Sequence, residues 1–115
     1  MNTALVMLGG ALGAAARYHL GGLFARGFPW GTLVVNLAGC FLIAIVAARF
    51  SADEPWRLFL AVGVLGGFTT FSAFALETFE LIDRGQALTA FAYVLASVAG
   101  GLLAFVAGHY AVRTA

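Results

Sequence analysis

Polar and apolar positions fall in long blocks along this chain. Charged residues are absent from 1–16, 27–48, 58–76 and 85–112, and short polar links separate these runs. A helix crossing a hydrocarbon core of about 30 Å needs about 20 apolar residues. The blocks therefore predict an all-α membrane protein with four transmembrane helices in a single domain spanning 1–115. Their expected extents are about 3–24 (running past Arg17), 31–48, 58–82 and 87–112. The third span is expected to be broken at 66–70. Gly66 and Gly67 each cost about 1 kcal/mol of helix propensity relative to Ala. Thr69 and Thr70 follow, β-branched and able to bond the backbone themselves. At about 1.5 Å per residue, the break lies about 15 Å into the span, near the bilayer midplane. Lipid offers backbone groups freed there no partner. Such a break serves either as a packing kink or as a binding or conduction site.

Composition agrees with the pattern. The 115 residues are 63% hydrophobic and 10% charged, against about 45–50% and 25% in soluble domains. A lone cysteine excludes an internal disulfide and a CxxC redox or zinc site. Leu37-Ala38-Gly39-Cys40 has the form of a lipoprotein box but lies midway along a span, so it is treated as a chance match. No paired carboxylates and no nucleophile–base set can be assembled, so the chain is not expected to be an enzyme. It is not expected to bind nucleic acid either.

Charge adds a topological expectation. With four spans, Arg49, Arg57 and Arg113 share one side, and Arg17, Arg26 and Arg84 the other. Basic residues set orientation, and three against three predicts insertion in both directions. Two oppositely inserted copies would then pair as an antiparallel, dual-topology homodimer, an inverted repeat from one sequence.

Few polar residues enter the spans. Gly9, Gly13 and Gly21 in the first, and Ala92, Ala96, Gly100, Ala104 and Gly108 in the fourth, have the small-xxx-small spacing that lets helix backbones approach. Arg17 either snorkels to the interface or faces a wet vestibule. Thr32, Asn36 and Cys40 recur every four residues on one face of the second span. Asn36 either clamps two helices or offers its amide N–H groups to an anion. Phe71 and Phe74 share a face of the third span, with Glu77 further along it. Tyr93 and Ser97 carry hydroxyls into the fourth.

Three stretches, GAAARY (13–18), GTLVVNLAGCF (31–41) and GGFTTFSAF (66–74), resemble the Fluc/CrcB family of fluoride channels, in order and at matching spacing. The resemblance implies a fluoride-selective channel that passively exports fluoride from the cytoplasm across the bacterial plasma (inner) membrane. It implies an antiparallel homodimer with two fluoride pathways. It also implies a structural Na⁺ on the two-fold axis, held by the main-chain oxygens of Gly66 and Thr69. Hard cations suit carbonyl oxygens. Fluoride must trade its water for donors, for which Asn36, Ser72, Tyr93 and Ser97 are the candidates. The resemblance casts Phe71 and Phe74 as ring-edge ligands, since an aromatic edge is positive. Arg17 would favour an anion electrostatically, and Glu77 would mark the pore exit or pair with an arginine. Three positions depart from the family pattern: Ala73 replaces a usual Thr, Ala44 a frequent Gly, and Gly101 interrupts the polar track of the fourth span. A four-span, proton-coupled multidrug exporter is the main alternative. It needs a carboxylate in the first span, where this chain has Arg17 and no acid.

Overall fold

With no water in the hydrocarbon, a helix is the one local structure that satisfies an apolar segment's own backbone, and helices dominate here. A computed structural model describes residues 2–22 and 27–114. Residues 23–24, expected to end the first span, and Arg26, counted in the charge comparison, lie outside the described residues. Helix α1 spans Asn2–Gly22 and α2 spans Trp30–Arg49. Segment α3 is composite, with Pro55–Arg57 α-helical, Leu58–Leu65 π-helical and Gly66–Phe68 α-helical again. Helix α4 covers Phe71–Asp83 and α5 covers Ala87–Thr114.

Among the described residues, three helical stretches are long and apolar enough to cross a membrane: Trp30–Arg49, Pro55–Asp83 and Ala87–Arg113. Helix α1, at 21 residues, has the length but not the apolarity. Arg17, Tyr18 and His19 fall in its last two turns. The first of the four spans expected from the uncharged blocks is thus not among these stretches, although α1 packs closely along α3.

That packing is backbone on backbone. A Cβ added to Gly9 would come 2.6 Å from the Phe59 carbonyl oxygen, and one on Gly67 would come 2.5 Å from that of Gly10. A Cβ on Gly13 would overlap the Val64 carbonyl and approach Phe68 N to 2.8 Å. Gly66 and Gly67 are thus helical, not helix-breaking. Gly67 is small because α1 lies against it, and the extended residues are the two threonines that follow. Gly13→Ala is expected to force the helices apart and cost about 1–3 kcal/mol, as overpacking does. Gly21→Ala, with nothing within 4 Å of the new Cβ, should stay within about 0.5 kcal/mol. Thermal unfolding of the two variants in detergent compares them directly.

Helices α2 and α5 also meet at glycines: a Cβ on Gly108 would overlap the Phe41 carbonyl, and one on Gly101 would come 3.3 Å from Cys40 Sγ. Two small cores result. Leu33, Phe74, Leu81, Ala90 and Tyr93 form one, and Val35, Leu65 and Phe68 the other. Most other large apolar side chains point outward, Met7, Leu88 and Leu103 among them, as a lipid-facing surface requires. Helix α4 ends at a tight reversal. Gly85 takes φ +78°, its N–H reaches Ile82 O at 3.0 Å, and Gln86 N reaches Leu81 O at 2.8 Å. This paired bonding is the Schellman arrangement, which favours glycine at that position.

Candidate functional site

Between Phe68 and Phe71 the chain leaves the helix for two residues. Thr69 has φ −85°, ψ 156° and Thr70 φ −151°, ψ 119°. Several backbone groups at the interruption have identifiable partners. Thr70 N, which a continuous helix would direct to the Gly66 carbonyl, donates to Asn36 Oδ1 at 2.8 Å. Asn36 Nδ2 donates in return to the Thr70 carbonyl at 3.0 Å. The Asn36 amide therefore bonds both peptide groups of Thr70, and at the N–H it stands in for the Gly66 carbonyl. Ala73 N, the helical partner of the Thr69 carbonyl, donates to Thr70 Oγ1 at 3.1 Å, which caps α4. The Gly67 carbonyl accepts from Arg17 Nε at 3.1 Å.

This exchange leaves backbone oxygens without their helical donors. The carbonyls of Gly66 and Thr69 are two of them, because Thr70 N turns to Asn36 Oδ1 and Ala73 N to Thr70 Oγ1. Two carbonyl oxygens released within one turn are the ligand type that a hard cation takes. The residues present therefore fit the implied Na⁺.

Beside the interruption is an open cavity of about 340 Å³, bounded by α2, α3, α4 and α5. Asn36, Thr70, Phe71, Phe74 and Ser97 line it, with Cys40 and Val98 nearby. Ser97 Oγ is buried and has no hydrogen-bond partner among the described residues, which leaves a donor available to a guest. The Phe71 and Phe74 rings lie 5.4 Å apart, tilted at 51°. Phe74 is buried against Tyr93, whereas Phe71 is 79% exposed. Ser72 is exposed, and its hydroxyl lies 3.2 Å from that of Thr70.

Of the two settings expected for Glu77, the arginine pair is not the one found. Its carboxylate accepts from Thr32 Oγ1 at 2.9 Å and from Tyr93 Oη at 3.2 Å. Hydroxyls from α2 and α5 hold it, not an arginine. The Tyr93 hydroxyl, a candidate donor in the polar track, is thereby committed to Glu77, and its ring is fully buried. Arg17, for its part, reaches a backbone carbonyl of α3.

Of the six pathway residues that the resemblance implies, Asn36, Phe71, Phe74 and Ser97 line the cavity, whereas Ser72 and Tyr93 do not. Sequence reasoning missed Thr70, whose N–H, carbonyl and hydroxyl all take part in the interruption. It also missed Thr32 as a partner of Glu77. The spacing of Thr32, Asn36 and Cys40 held the signal, because all three face the third span or the cavity beside it.

The family model described as "CrcB-like protein, Camphor Resistance (CrcB)" matches residues 4–109. The chain is 53% identical over 108 residues to the fluoride-specific ion channel FluC of Paracoccus denitrificans (strain Pd 1222), covering 90% of this chain and 87% of that one. It is 50% identical over 119 residues to the protein of the same name from Chelativorans sp. (strain BNC1), covering 96% and 94%. Its identity to the Rhizobium etli (strain CIAT 652) protein of that name is 45% over 117 residues, covering 95% and 94%.

Proposed function

The chain belongs to the CrcB-like protein family, and from that membership we propose its function: it is a fluoride-selective ion channel. The carrying observation is that relatives named as fluoride-specific channels share 45% to 53% of its residues over nearly the whole of both chains. As a multi-pass membrane protein it would sit in the bacterial plasma membrane and let fluoride leave the cytoplasm down its gradient.

Fluoride is small and tightly hydrated, so the channel's task is to replace water without trapping the ion. The cavity beside the interruption supports this reading. Ser97 Oγ is a free donor there, the edges of Phe71 and Phe74 carry positive charge, and apart from Asn36, Thr69 and Thr70 the wall is mostly apolar. Ser72 and the Asn36 amide extend the track toward Thr70, while Tyr93 holds Glu77 at its far end. Arg17 contributes positive potential close to the same carbonyls, which favours an anion over a cation.

The working unit would be an antiparallel homodimer of oppositely inserted copies, consistent with three arginines on each side. The Gly66 and Thr69 carbonyls of both copies would hold Na⁺ near the bilayer midplane. That ion would supply fixed positive charge and a cross-link between subunits. Liposomes loaded with fluoride test the proposal. Purified protein should release it without a proton gradient and leave chloride behind. Proton-coupled release of a lipophilic cation would favour the exporter, and neither activity would leave a packing protein.

A further inference from the structure

Gly39 is one of the buried residues of α2, and Thr69 presses on it. A Cβ on Gly39 would overlap Cγ2 of Thr69 and come 3.6 Å from Phe68 Cδ2. The methyl group of Thr69 therefore sits where a side chain at 39 would be. The other branch of the same side chain is also fixed, since Thr69 Oγ1 donates to the Leu65 carbonyl at 2.9 Å. With Cγ2 in the notch and Oγ1 on Leu65, χ1 of this β-branched residue has no free rotation. Thr69 is also the residue at which the backbone turns from helical to extended.

We propose that Gly39 is a positioning residue: its missing side chain is a notch that receives the Thr69 methyl and so aims the Thr69 carbonyl. This rests on the reading that the Thr69 carbonyl is a cation ligand. The Thr69 hydroxyl itself faces back along the helix to Leu65, so its contribution is to orient the peptide. A methyl at 39 leaves two escapes. Rotating χ1 breaks the bond to Leu65, and keeping that bond moves the Thr69 backbone. The first removes the side-chain anchor that helps hold the Thr69 peptide, and the second shifts its carbonyl directly. Partners that orient a metal's ligands typically cost about 10- to 100-fold in affinity when lost.

The test is a cycle of Gly39→Ala, Thr69→Ser and the double variant, because Ser keeps Oγ1 and deletes only the methyl that clashes. For each purified protein the Na⁺ dependence of thermal unfolding is measured against N-methylglucamine, together with fluoride efflux from liposomes. Gly39→Ala should need about 10- to 100-fold more Na⁺ for half of the stabilisation and should lose efflux. The double variant should return to the level of Thr69→Ser alone. A wild-type Na⁺ response in Gly39→Ala overturns the proposal. A double variant as impaired as Gly39→Ala also overturns it, because the fault then lies against Phe68 or elsewhere. If Gly39→Ala does not fold, a double variant that folds and responds to Na⁺ supports the notch, and one that does not fold overturns it. If the unsubstituted protein shows no Na⁺ response, the cation reading fails. The notch is then judged on efflux alone, by the same loss and restoration or their absence.

Discussion

Asn36→Asp is expected to reduce fluoride efflux to the background of protein-free liposomes and to destabilise the fold at the same time. The amide bonds both peptide groups of Thr70, as acceptor at 2.8 Å and donor at 3.0 Å. A carboxylate keeps the first bond and destroys the second, placing an anionic oxygen where the donor stood, against the Thr70 carbonyl. Losing a partner to a sequestered polar group costs about 1–3 kcal/mol. An ionised Asp in the middle of a membrane helix adds about 2.5–3.5 kcal/mol. It would also put negative charge beside the cavity that fluoride enters. The pH dependence identifies the cause. A protonated carboxyl has one O–H donor and one carbonyl acceptor, so it can reproduce both bonds of the amide. The folded variant then binds a proton that the unfolded one gives up near neutral pH, and its stability falls as pH rises. Thermal unfolding between mildly acidic and neutral pH should show this slope in the variant above any slope of the parent. Efflux at the parental rate would remove Asn36 from both roles.

Phe71→Ile should abolish efflux while leaving stability nearly unchanged. The Phe71 side chain is 79% exposed in the single chain and contributes little to either core, so its replacement should cost no more than about 0.5 kcal/mol. Isoleucine retains bulk and apolarity but has no ring and hence no positive edge. Phe74 differs, because its ring is buried against Tyr93 at 5.1 Å, and truncating it would confound packing with conduction. The Phe71 substitution therefore isolates the aromatic edge. Unfolding temperature and efflux, measured on one preparation, should separate, with the first preserved and the second lost. Undiminished efflux would eliminate the ring as an ion ligand.

The apolar blocks made the long helices legible, because hydropathy over about 20 residues reports lipid directly. The clustering of Asn36, Phe71, Phe74 and Ser97 was legible only through the family resemblance that GGFTTFSAF and its companion stretches carry, since spacing along one helix does not say which helices meet. Three features were not. The π-helical run over Leu58–Leu65 has no composition of its own, since its Leu, Phe, Ala, Val and Gly are those of any apolar membrane helix. The use of Gly67 for contact with α1, rather than for bending, depends on a residue 57 positions earlier, and local propensity does not see it. The engagement of Glu77 by Thr32 and Tyr93 joins three helices, and periodicity along one helix is silent about which partners face it from two others.

The glycine seam between α1 and α3 bears on how the chain assembles as it is made. Helix α1 emerges first, with modest apolarity and a guanidinium whose acceptor, the Gly67 carbonyl, is synthesised 50 residues later. Until α3 arrives, Arg17 has only headgroups or water to satisfy it, and the flat face of α1 has only lipid. Stable residence of the first helix in the bilayer is thus expected to await the third. A nascent chain truncated before Gly67 should leave α1 extractable by alkaline carbonate, and a chain extended beyond it should not.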